Sequence, residues 1–299
     1  MENALNFAFC VSENYIKYLK VCIRSIVYHH PLKSINIYIL TDKISKKNRR
    51  PLEKEFSKFK NINIEIIIID DSMLLTLKTG IWSKHAWYRI LLPNYLPNIN
   101  KVLYLDADTV VCEDLSQLFN MDLTGVSVAG ALDRLAFKDS KYMHYGDERS
   151  KYICAGVLLI NLDVWRENGL TKKIIKWASE NDDMLKWPDQ DAINHICDDS
   201  KLILPLKYGT MNFLFDKNLK LPEYINNEVK ECINNPSIIH YAGHGNTPWI
   251  KDHSRHLKND EWIKYNRMLK HPVRRKYETK GIKLLKFIIF RFIFKNNVK

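Results

Sequence analysis

The sequence predicts an α/β fold in which helices flank a mostly parallel β-sheet. Short apolar segments alternate with longer amphipathic segments through the first hundred residues, which is the pattern of right-handed βαβ units. The apolar segments are continuous, as expected of strands buried on both faces. Several of them are followed by a serine or an aspartate, and ligands bind at such carboxyl edges of parallel sheets. A chain of 299 residues is long enough for one large domain or two small ones.

The predicted elements become shorter after residue 111. Strands are predicted at residues 5–11, 35–40, 62–69, 102–105, 126–132, 157–161, 202–206 and 238–241. Helices are predicted from Ser12 to about Tyr28 and at 45–59, 82–92, 171–179 and 188–197, with Pro93 ending the third. No linker, repeat or low-complexity segment marks a border before about residue 250. We therefore expect one domain at 1–250 and a separate C-terminal region at 251–299.

The composition indicates a globular protein whose basicity is confined to one end. Hydrophobic residues make up 46% and charged residues 27% of the chain, as in soluble globular domains. The formal net charge is +12, and residues 271–299, with nine Lys/Arg and one Glu, carry +8 of it. A nucleic-acid binder would distribute such charge over a groove, so this charge pattern does not favour that class.

The C-terminal tail has the pattern of a basic amphipathic helix. Lysines and Arg291 occupy one half of a helical wheel over residues 280–295, and Leu, Ile and Phe occupy the other half. The apolar segment 282–294 is shorter than the roughly 20 residues needed to cross a bilayer. We predict that this helix lies in the interface of an anionic membrane. The alternative is a helix packed on the core, with its lysines reaching solvent.

Cysteine usage and the N-terminus indicate a cytoplasmic protein. The six cysteines are scattered, form no CxxC pair and lie in or beside apolar runs, so we expect reduced, buried thiols. The first residues lack a basic stretch followed by a long apolar stretch. We therefore expect no signal peptide and no N-terminal membrane span.

Two aspartates follow the predicted strand at 102–105. Asp106 and Asp108 are two residues apart, a spacing that in extended chain points both carboxylates to one side. Two anions held together at the edge of a buried strand need compensation, and a divalent cation can provide it. Solvated turn residues are the alternative, because many Asp-x-Asp triplets have no other role.

Three later segments could converge on this pair. His240 ends an apolar strand and precedes Gly243, which allows close approach of backbone to a ligand. Residues 187–191 (Trp-Pro-Asp-Gln-Asp) place two carboxylates and an amide at a helix start, although helix caps commonly look the same. Ala155 and Gly156 bring a small, flexible backbone to a strand edge. Each segment alone is also compatible with a purely structural role.

Taken together, these segments resemble glycosyltransferase family 8. The resemblance spans about residues 5–250, and its motifs occur in the family's order. They are Asn14-Tyr15, Trp87-Tyr88-Arg89, 103–108 (Leu-Tyr-Leu-Asp-Ala-Asp), 155–161 (Ala-Gly-Val-Leu-Leu-Ile-Asn), Asp189-Gln190-Asp191, 240–243 (His-Tyr-Ala-Gly) and Pro248-Trp249. The resemblance implies a GT-A fold, which is Rossmann-like, and a retaining, metal-dependent hexosyltransferase that uses UDP-glucose or UDP-galactose.

The resemblance also implies roles for individual residues. Asp106, Asp108 and His240 would bind Mn²⁺, with Mg²⁺ as the alternative, and this mixed oxygen and nitrogen donor set suits Mn²⁺. The catalytic residues would be Arg89, Asp189, Gln190 and Asp191. Donor contacts would come from Cys10, Ser12, Asn14, Tyr15, Asp106, Ala107, Ala155, Gly156 and Gly243. Retention of configuration requires same-face attack or a covalent intermediate, and we favour the first because an amide such as Gln190 is a poor nucleophile.

The chain departs from the family pattern at three positions. Cys154 stands where members commonly have Asn, Thr247 where they usually have a Lys that binds the diphosphate, and Ser12 where many have Asp. Lys251 and His244 are candidates for the missing cation. These departures leave the donor sugar open and suggest an alternative, a catalytically impaired GT-A protein that binds membranes or glycans.

The expected acceptor is a lipid-linked or lipopolysaccharide-type glycan, because related bacterial enzymes extend such glycans. The expected location is the cytoplasm, peripheral to the inner face of the cytoplasmic membrane, with the tail contacting anionic lipid and no nucleic-acid partner. A nucleotidyltransferase would share the α/β architecture and a metal. It would need a Gly-rich phosphate loop near the N-terminus, and residues 6–14 contain no glycine.

Overall fold

The computed structural model of the protein describes residues 4–137, 151–216, 221–243, 245–252 and 256–278. Ten strands are found in these ranges: β1 (Leu5–Cys10), β2 (Ile35–Thr41), β3 (Ile62–Ile68), β4 (Lys101–Leu105), β5 (Thr109–Val111), β6 (Val128–Leu132), β7 (Ile153–Asn161), β8 (Lys201–Leu204), β9 (Thr210–Met211) and β10 (Ile238–His240). The α-helices in the same ranges are α1 (Ile16–His29), α2 (Lys46–Phe56), α3 (Leu92–Tyr95), α4 (Ser116–Phe119), α5 (Leu162–Glu167), α6 (Leu170–Glu180), α7 (Pro188–Ile196), α8 (Asn226–Asn234) and α9 (Asn259–Arg267).

The main sheet has seven strands in the order β3-β2-β1-β4-β7-β6-β8. The pairs among β3, β2, β1 and β4 are parallel, and so is the pair of β6 with β8. Strand β7 alone is reversed, pairing antiparallel with β4 on one side and β6 on the other. The prediction of a mostly parallel sheet flanked by helices is therefore confirmed.

Both faces of the sheet are buried, as the continuous apolar strands predicted. Along β1, Phe7 and Phe9 belong to the core beneath α1 and α2, and Ala8 and Cys10 belong to the core on the opposite face. All four side chains are at most 8% exposed. Burial of apolar surface at about 25 cal/mol per Å² is the main force that holds these layers together.

Two of the predicted elements differ clearly from the observed ones in length or type. The predicted helix at 82–92 is a 3₁₀ helix (Lys84–Leu91) that continues into α3, so Pro93 lies in a first helical turn and does not end the helix. A proline is tolerated there because its missing N–H would have no partner in the first turn. Strand β7 begins at Ile153, four residues before the predicted start, because the small residues 154–156 are also extended.

A second, three-stranded sheet has the order β5-β10-β9. Strand β5 follows Asp108 directly and pairs antiparallel with β10, so that Thr109 lies opposite His240. This pairing brings a residue from late in the chain next to the two aspartates that close β4. Neither β5 nor β9 was predicted from the sequence.

The described part of the C-terminal region packs on the main core. Helix α9 contacts α1, Trp262 and Tyr265 are fully buried, and the Tyr265 hydroxyl lies 2.7 Å from His29 Nε2. Lys276 donates its backbone N–H to Trp249. The predicted amphipathic helix at 280–295 lies outside the described residues, so it and the border at residue 250 stay predictions.

No helix within the described ranges combines the length and apolar character needed to cross a bilayer.

Candidate active site

A cavity of about 900 Å³ opens at the carboxyl edge of β1 and β4. Thirteen of the fifteen residues that the sequence analysis singled out line it. They are Cys10, Ser12, Tyr15, Arg89, Asp106, Ala107, Asp108, Ala155, Gly156, Asp189, Gln190, His240 and Gly243. The fold thus brings together side chains that are up to 230 residues apart, the separation of Cys10 and His240.

Asp106, Asp108 and His240 form a cluster suited to a cation. His240 Nε2 lies 3.6 Å from Asp106 Oδ2 and 3.4 Å from Asp108 Oδ1, and one ligand atom from each residue lies within 4.8 Å of the other two. Two ligands that lie about 2.2 Å from one ion at right angles are about 3 Å apart, so the three groups fit a six-coordinate ion after small adjustments. Two carboxylates and an imidazole are donor groups that divalent metal ions accept.

Electrostatics within the cluster favour a positive charge at His240. Burial alone would lower the pKa of His240, but the attraction of Asp108 raises it well above its ordinary value. Burial would raise the pKa of Asp108, and the charge of His240 lowers it below its ordinary value. A cation bound by these groups would replace the proton on His240, because imidazole binds metal in its neutral form.

Gly156 allows His240 to reach the aspartates. A Cβ atom at this position would lie 2.1 Å from His240 Cε1 and 2.8 Å from Asp106 Oδ2, closer than side chains can approach. The Gly156 carbonyl also accepts a 2.8 Å hydrogen bond from the Asp106 N–H. The glycine on β7 therefore forms the backbone floor against which the cluster packs.

Arg89 is a buried cation shared by two carboxylates. It is 4% exposed, and its guanidinium lies 3.1 Å from Asp106 Oδ1 and 3.2 Å from Asp189 Oδ2. It also donates to the Ala155 carbonyl, and it lies over the Tyr104 ring at 4.4 Å. Burial would lower the pKa of Arg89, but the two carboxylates raise the pKa by more than burial lowers it, so the guanidinium stays charged.

The two oxygens of Asp106 have different surroundings. Oδ1 accepts a 2.6 Å hydrogen bond from the Tyr104 hydroxyl as well as the contact from Arg89. Oδ2 faces His240. The protein thus holds one oxygen in place and leaves the other directed into the cluster.

Asp189 and Gln190 enter the cavity from the first turn of α7. Asp189 is 7% exposed, and burial raises its pKa although Arg89 opposes the rise. Gln190 Oε1 accepts a 2.8 Å hydrogen bond from the Ala155 N–H, which fixes the orientation of the side-chain amide. Pro188 begins this helix, a position where its missing N–H costs nothing.

Asp191 and Asn14 do not line the cavity. Asp191 Oδ2 accepts the backbone N–H groups of Lys186 and Trp187 at 2.8 and 2.9 Å, and its Oδ1 accepts a hydrogen bond from Tyr152. Its carboxylate therefore stabilises the turn before α7. Asn14 is exposed, one residue before Tyr15.

Tyr15 offers an aromatic face supported by Trp249. Tyr15 is 45% exposed and lies edge-on to Trp249, with ring centroids 6.0 Å apart. Trp249 is 5% exposed and stacks on Tyr18 at 4.0 Å. The tryptophan that the sequence analysis noted after Thr247 thus supports a stacking surface from below.

Cys154 lies on the far side of the His240 ring. Its sulfur is 3.6 Å from Nδ1, while Nε2 faces the carboxylates. Burial raises the pKa of the thiol although the nearby imidazole opposes the rise, so the thiol form predominates. The residue that departs from the family pattern therefore contacts the back of a predicted metal ligand.

Asp133 is a cavity residue that the sequence analysis missed. It follows β6 at the same edge of the sheet at which Asp106 follows β4, and it interacts with Gln190 and Cys154. Burial raises its pKa above the ordinary value. Its place after a predicted strand was the available signal, but a single aspartate in a turn is too common to be distinctive.

The comparisons with known proteins agree with this geometry. The family profile "Glycosyl transferase family 8" matches residues 6–253. General stress protein A of Bacillus subtilis is 28% identical over 272 residues, which cover 88% of this chain and 93% of that protein. A lipopolysaccharide 1,2-glucosyltransferase of Escherichia coli K12 is 27% identical over 271 residues, covering 86% and 79%.

A solved structure of the galactosyltransferase LgtC in complex with donor and acceptor sugar analogues shares the fold. The TM-score is 0.77 at 22% identity, and the match covers 95% of this chain and 100% of that one. This likeness confirms the predicted GT-A architecture. The profile match, which spans most of the chain, shows that the protein belongs to glycosyltransferase family 8.

Proposed function

We propose that the protein is a retaining, metal-dependent hexosyltransferase that moves glucose or galactose from a UDP-sugar to a lipid-linked or lipopolysaccharide-type glycan. The observation that carries this proposal is the cluster of Asp106, Asp108 and His240 beside the buried Arg89 and Asp189. A cluster of carboxylates and an imidazole next to a guanidinium is what a departing diphosphate requires.

The proposed donor site extends from Tyr15 to the metal cluster and Arg89. The uracil ring would stack on the exposed face of Tyr15, and the diphosphate would meet the cluster at Asp106 and Asp108. Mn²⁺, or Mg²⁺ in its place, would be held by the three cluster residues and would neutralise charge on the leaving diphosphate. One relative named above is a lipopolysaccharide 1,2-glucosyltransferase, and the solved structure is a galactosyltransferase with donor and acceptor sugar analogues, which supports a glycan acceptor.

The hexose would lie between Arg89, Asp189 and Gln190. Asp189, tied to Arg89, is oriented to accept hydrogen bonds from sugar hydroxyls. Gln190 has its carbonyl engaged by the Ala155 N–H, so the amide N–H₂, which also interacts with Asp133, is the group that would contact the reacting end of the sugar. An amide held in this way is a poor nucleophile, and we infer that the acceptor hydroxyl attacks from the same face as the leaving group.

The direct test is a panel of UDP-sugars with Mn²⁺, scored for release of UDP. We expect turnover with UDP-glucose or UDP-galactose, and we expect a chelator to abolish it. Asp106→Asn and Asp108→Asn should each reduce the turnover by at least about 100-fold. Asp163→Asn, at a half-buried carboxylate outside the cavity, is the matched control. Release that persists with chelator would contradict metal dependence, and no release with any UDP-sugar would favour the impaired-scaffold alternative.

The stereochemistry and the intermediate need separate measurements. The anomeric configuration of the product, read from its proton NMR coupling constant, should match that of the donor. A sugar adduct trapped on Gln190 or Asp191 would contradict same-face attack.

We also propose that residues 279–299 hold the enzyme to anionic membranes at the cytoplasmic face. Truncation after Glu278 removes this segment and keeps the backbone pairing of Lys276 with Trp249 and Lys251. The truncated protein should lose binding to phosphatidylglycerol vesicles while its UDP release without acceptor is unchanged. Equal vesicle binding by both proteins would contradict the anchor.

A further inference from the structure

Arg134 differs from Arg89, the other arginine that lines the cavity, in having no partner among the described residues. Among the described residues that line the cavity, the arginines are Arg89 and Arg134, and no lysine is present. Arg89 is engaged by Asp106 and Asp189. Arg134 is exposed and has no hydrogen bond or ion pair with any residue that the structure describes.

The wall that carries Arg134 is apolar and aromatic. Arg134 begins a 3₁₀ helix (Arg134–Phe137) that follows β6, and Phe137 packs against Phe213 with ring centroids 6.1 Å apart. Phe213 and Trp187 belong to the same cluster and line the cavity. Aromatic faces beside a few polar groups are typical of sites that bind sugar rings or other small molecules.

This wall is distinct from the parts of the cavity assigned to the donor. Tyr15, Gly243 and the metal cluster come from other elements, and the donor sugar is assigned to Arg89 and Asp189. The aromatic wall is therefore a surface that the donor leaves open, and we assign the acceptor to it, a step that rests on the proposed function.

The charges on this wall leave Arg134 available to an anion. The adjacent Asp133 carboxyl is turned toward Gln190 and Cys154, and burial favours its neutral form. Asp216, the exposed carboxylate on the same wall, already has a partner within the chain. A guanidinium presents N–H donors in a fork that matches the oxygens of a carboxylate or a phosphate.

We propose that Arg134 makes the enzyme selective for acceptors that carry an anionic substituent, a phosphate or a carboxylate, on the sugar that stacks against Phe213 and Trp187. The arginine is a specificity-determining residue for the acceptor and is not part of the metal or diphosphate site.

The test compares matched acceptors of different charge. Methyl glucoside, methyl glucuronide and methyl glucoside 6-phosphate, with the corresponding galactosides, are supplied together with the donor that the UDP-sugar panel identifies. The ratio of kcat/KM for each anionic acceptor to that for its neutral partner should exceed one and should fall about tenfold in Arg134→Gln. Arg134→Lys should keep part of the preference. Arg50→Gln, which removes an equal charge from the exposed surface of α2, should keep all of it.

Two outcomes would overturn the proposal. One is a wild-type enzyme whose kcat/KM for neutral acceptors equals or exceeds its kcat/KM for anionic ones. The other is an Arg134→Gln variant that binds UDP more weakly and whose kcat/KM falls by the same factor for neutral and anionic acceptors. That result would identify the donor diphosphate as the anion that Arg134 binds.

Saturation-transfer NMR with methyl glucoside 6-phosphate and UDP separates this proposal from the proposed function. Binding of the glycoside that needs Arg134, without any UDP release, would support the anion site and reject the transferase. UDP release without a preference for charged acceptors would support the transferase and reject the anion site.

Discussion

Replacing Gly156 by alanine tests how tightly the floor of the site is packed. The new Cβ atom would lie 2.1 Å from His240 Cε1, whereas carbon atoms in contact lie about 3.5 Å apart. The imidazole must therefore move by about 1.4 Å, and a metal ligand tolerates a displacement of only about 0.2 Å. His240 is 4% exposed, and Asp106, Asp108 and Cys154 all contact its ring, so the moved ring would lose its fit to these groups.

We expect the affinity for Mn²⁺ to fall about 100-fold, the upper end of the cost of disturbing the support of a metal ligand. Overpacking should also lower the free energy of unfolding by about 1–3 kcal/mol. The free Mn²⁺ signal in electron paramagnetic resonance, with UDP present, measures the first quantity, and urea unfolding measures the second. Gly156 does not have a positive φ, so the backbone accepts alanine and the effect is steric.

Two controls separate this clash from general instability. Gly130→Ala on neighbouring β6, where the nearest atoms are 3.1 Å away, should lower stability and leave the affinity for Mn²⁺ unchanged. In a His240→Ala background, the stability cost of Gly156→Ala should shrink because the closest contact is gone. Unaltered Mn²⁺ affinity in Gly156→Ala, or an undiminished cost without the imidazole, would refute the steric argument.

Three further predictions follow from individual side chains. Arg89→Met should lower the free energy of unfolding, measured in urea, by about 3–5 kcal/mol, because it leaves the buried Asp189 carboxylate without its ion pair. Adding Asp189→Asn should restore part of the loss. Thr247→Lys should tighten UDP binding about tenfold in calorimetry by adding a cation near the diphosphate, whereas Thr247→Met should not. Burial lowers the pKa of His256 from 6.5 to about 4, so the unfolded chain binds the proton first as the pH falls. The free energy of unfolding should therefore drop by up to about 3 kcal/mol between pH 6.5 and 4, and His256→Phe should flatten that part of the curve; an equal slope in both proteins would contradict this assignment.

The parallel half of the sheet could be predicted because its strands are buried on both faces. Strands β1 to β4 are continuous apolar runs, and each was predicted to within two residues at both ends. The reversed direction of β7 could not be predicted, since an apolar run has the same pattern in either direction. Strands β5 and β9, of three and two residues, are too short to show any period.

The site could be predicted as a set of residues, but the separate contacts of those residues could not. The aspartates, His240 and Gly156 stood out through their positions beside strands and through the family motifs. Asp191 shares a motif with Asp189 and Gln190, yet its carboxylate turns toward the backbone of Lys186 and Trp187. Neighbours along a helix start point in different directions, and only coordinates separate them.

The cavity wall that carries Arg134 was not predicted. Asp133, Arg134 and Phe213 come from turns and 3₁₀ segments with no regular pattern, and tertiary packing alone brings them together. The departures at Cys154 and Thr247 were visible in the sequence. The contact of Cys154 with the back of His240 became apparent only from the coordinates.

The pairing of β5 with β10 has a consequence for how the enzyme matures during translation. Thr109 and His240 are 131 positions apart, so a nascent chain leaving the ribosome can complete its first four sheet strands long before the imidazole arrives. Contacts between such distant segments form late, since a long loop must close first. A truncated or stalled product would therefore have an ordered core but no working centre, and any ligand that bridges the two strands would reinforce the last step of assembly.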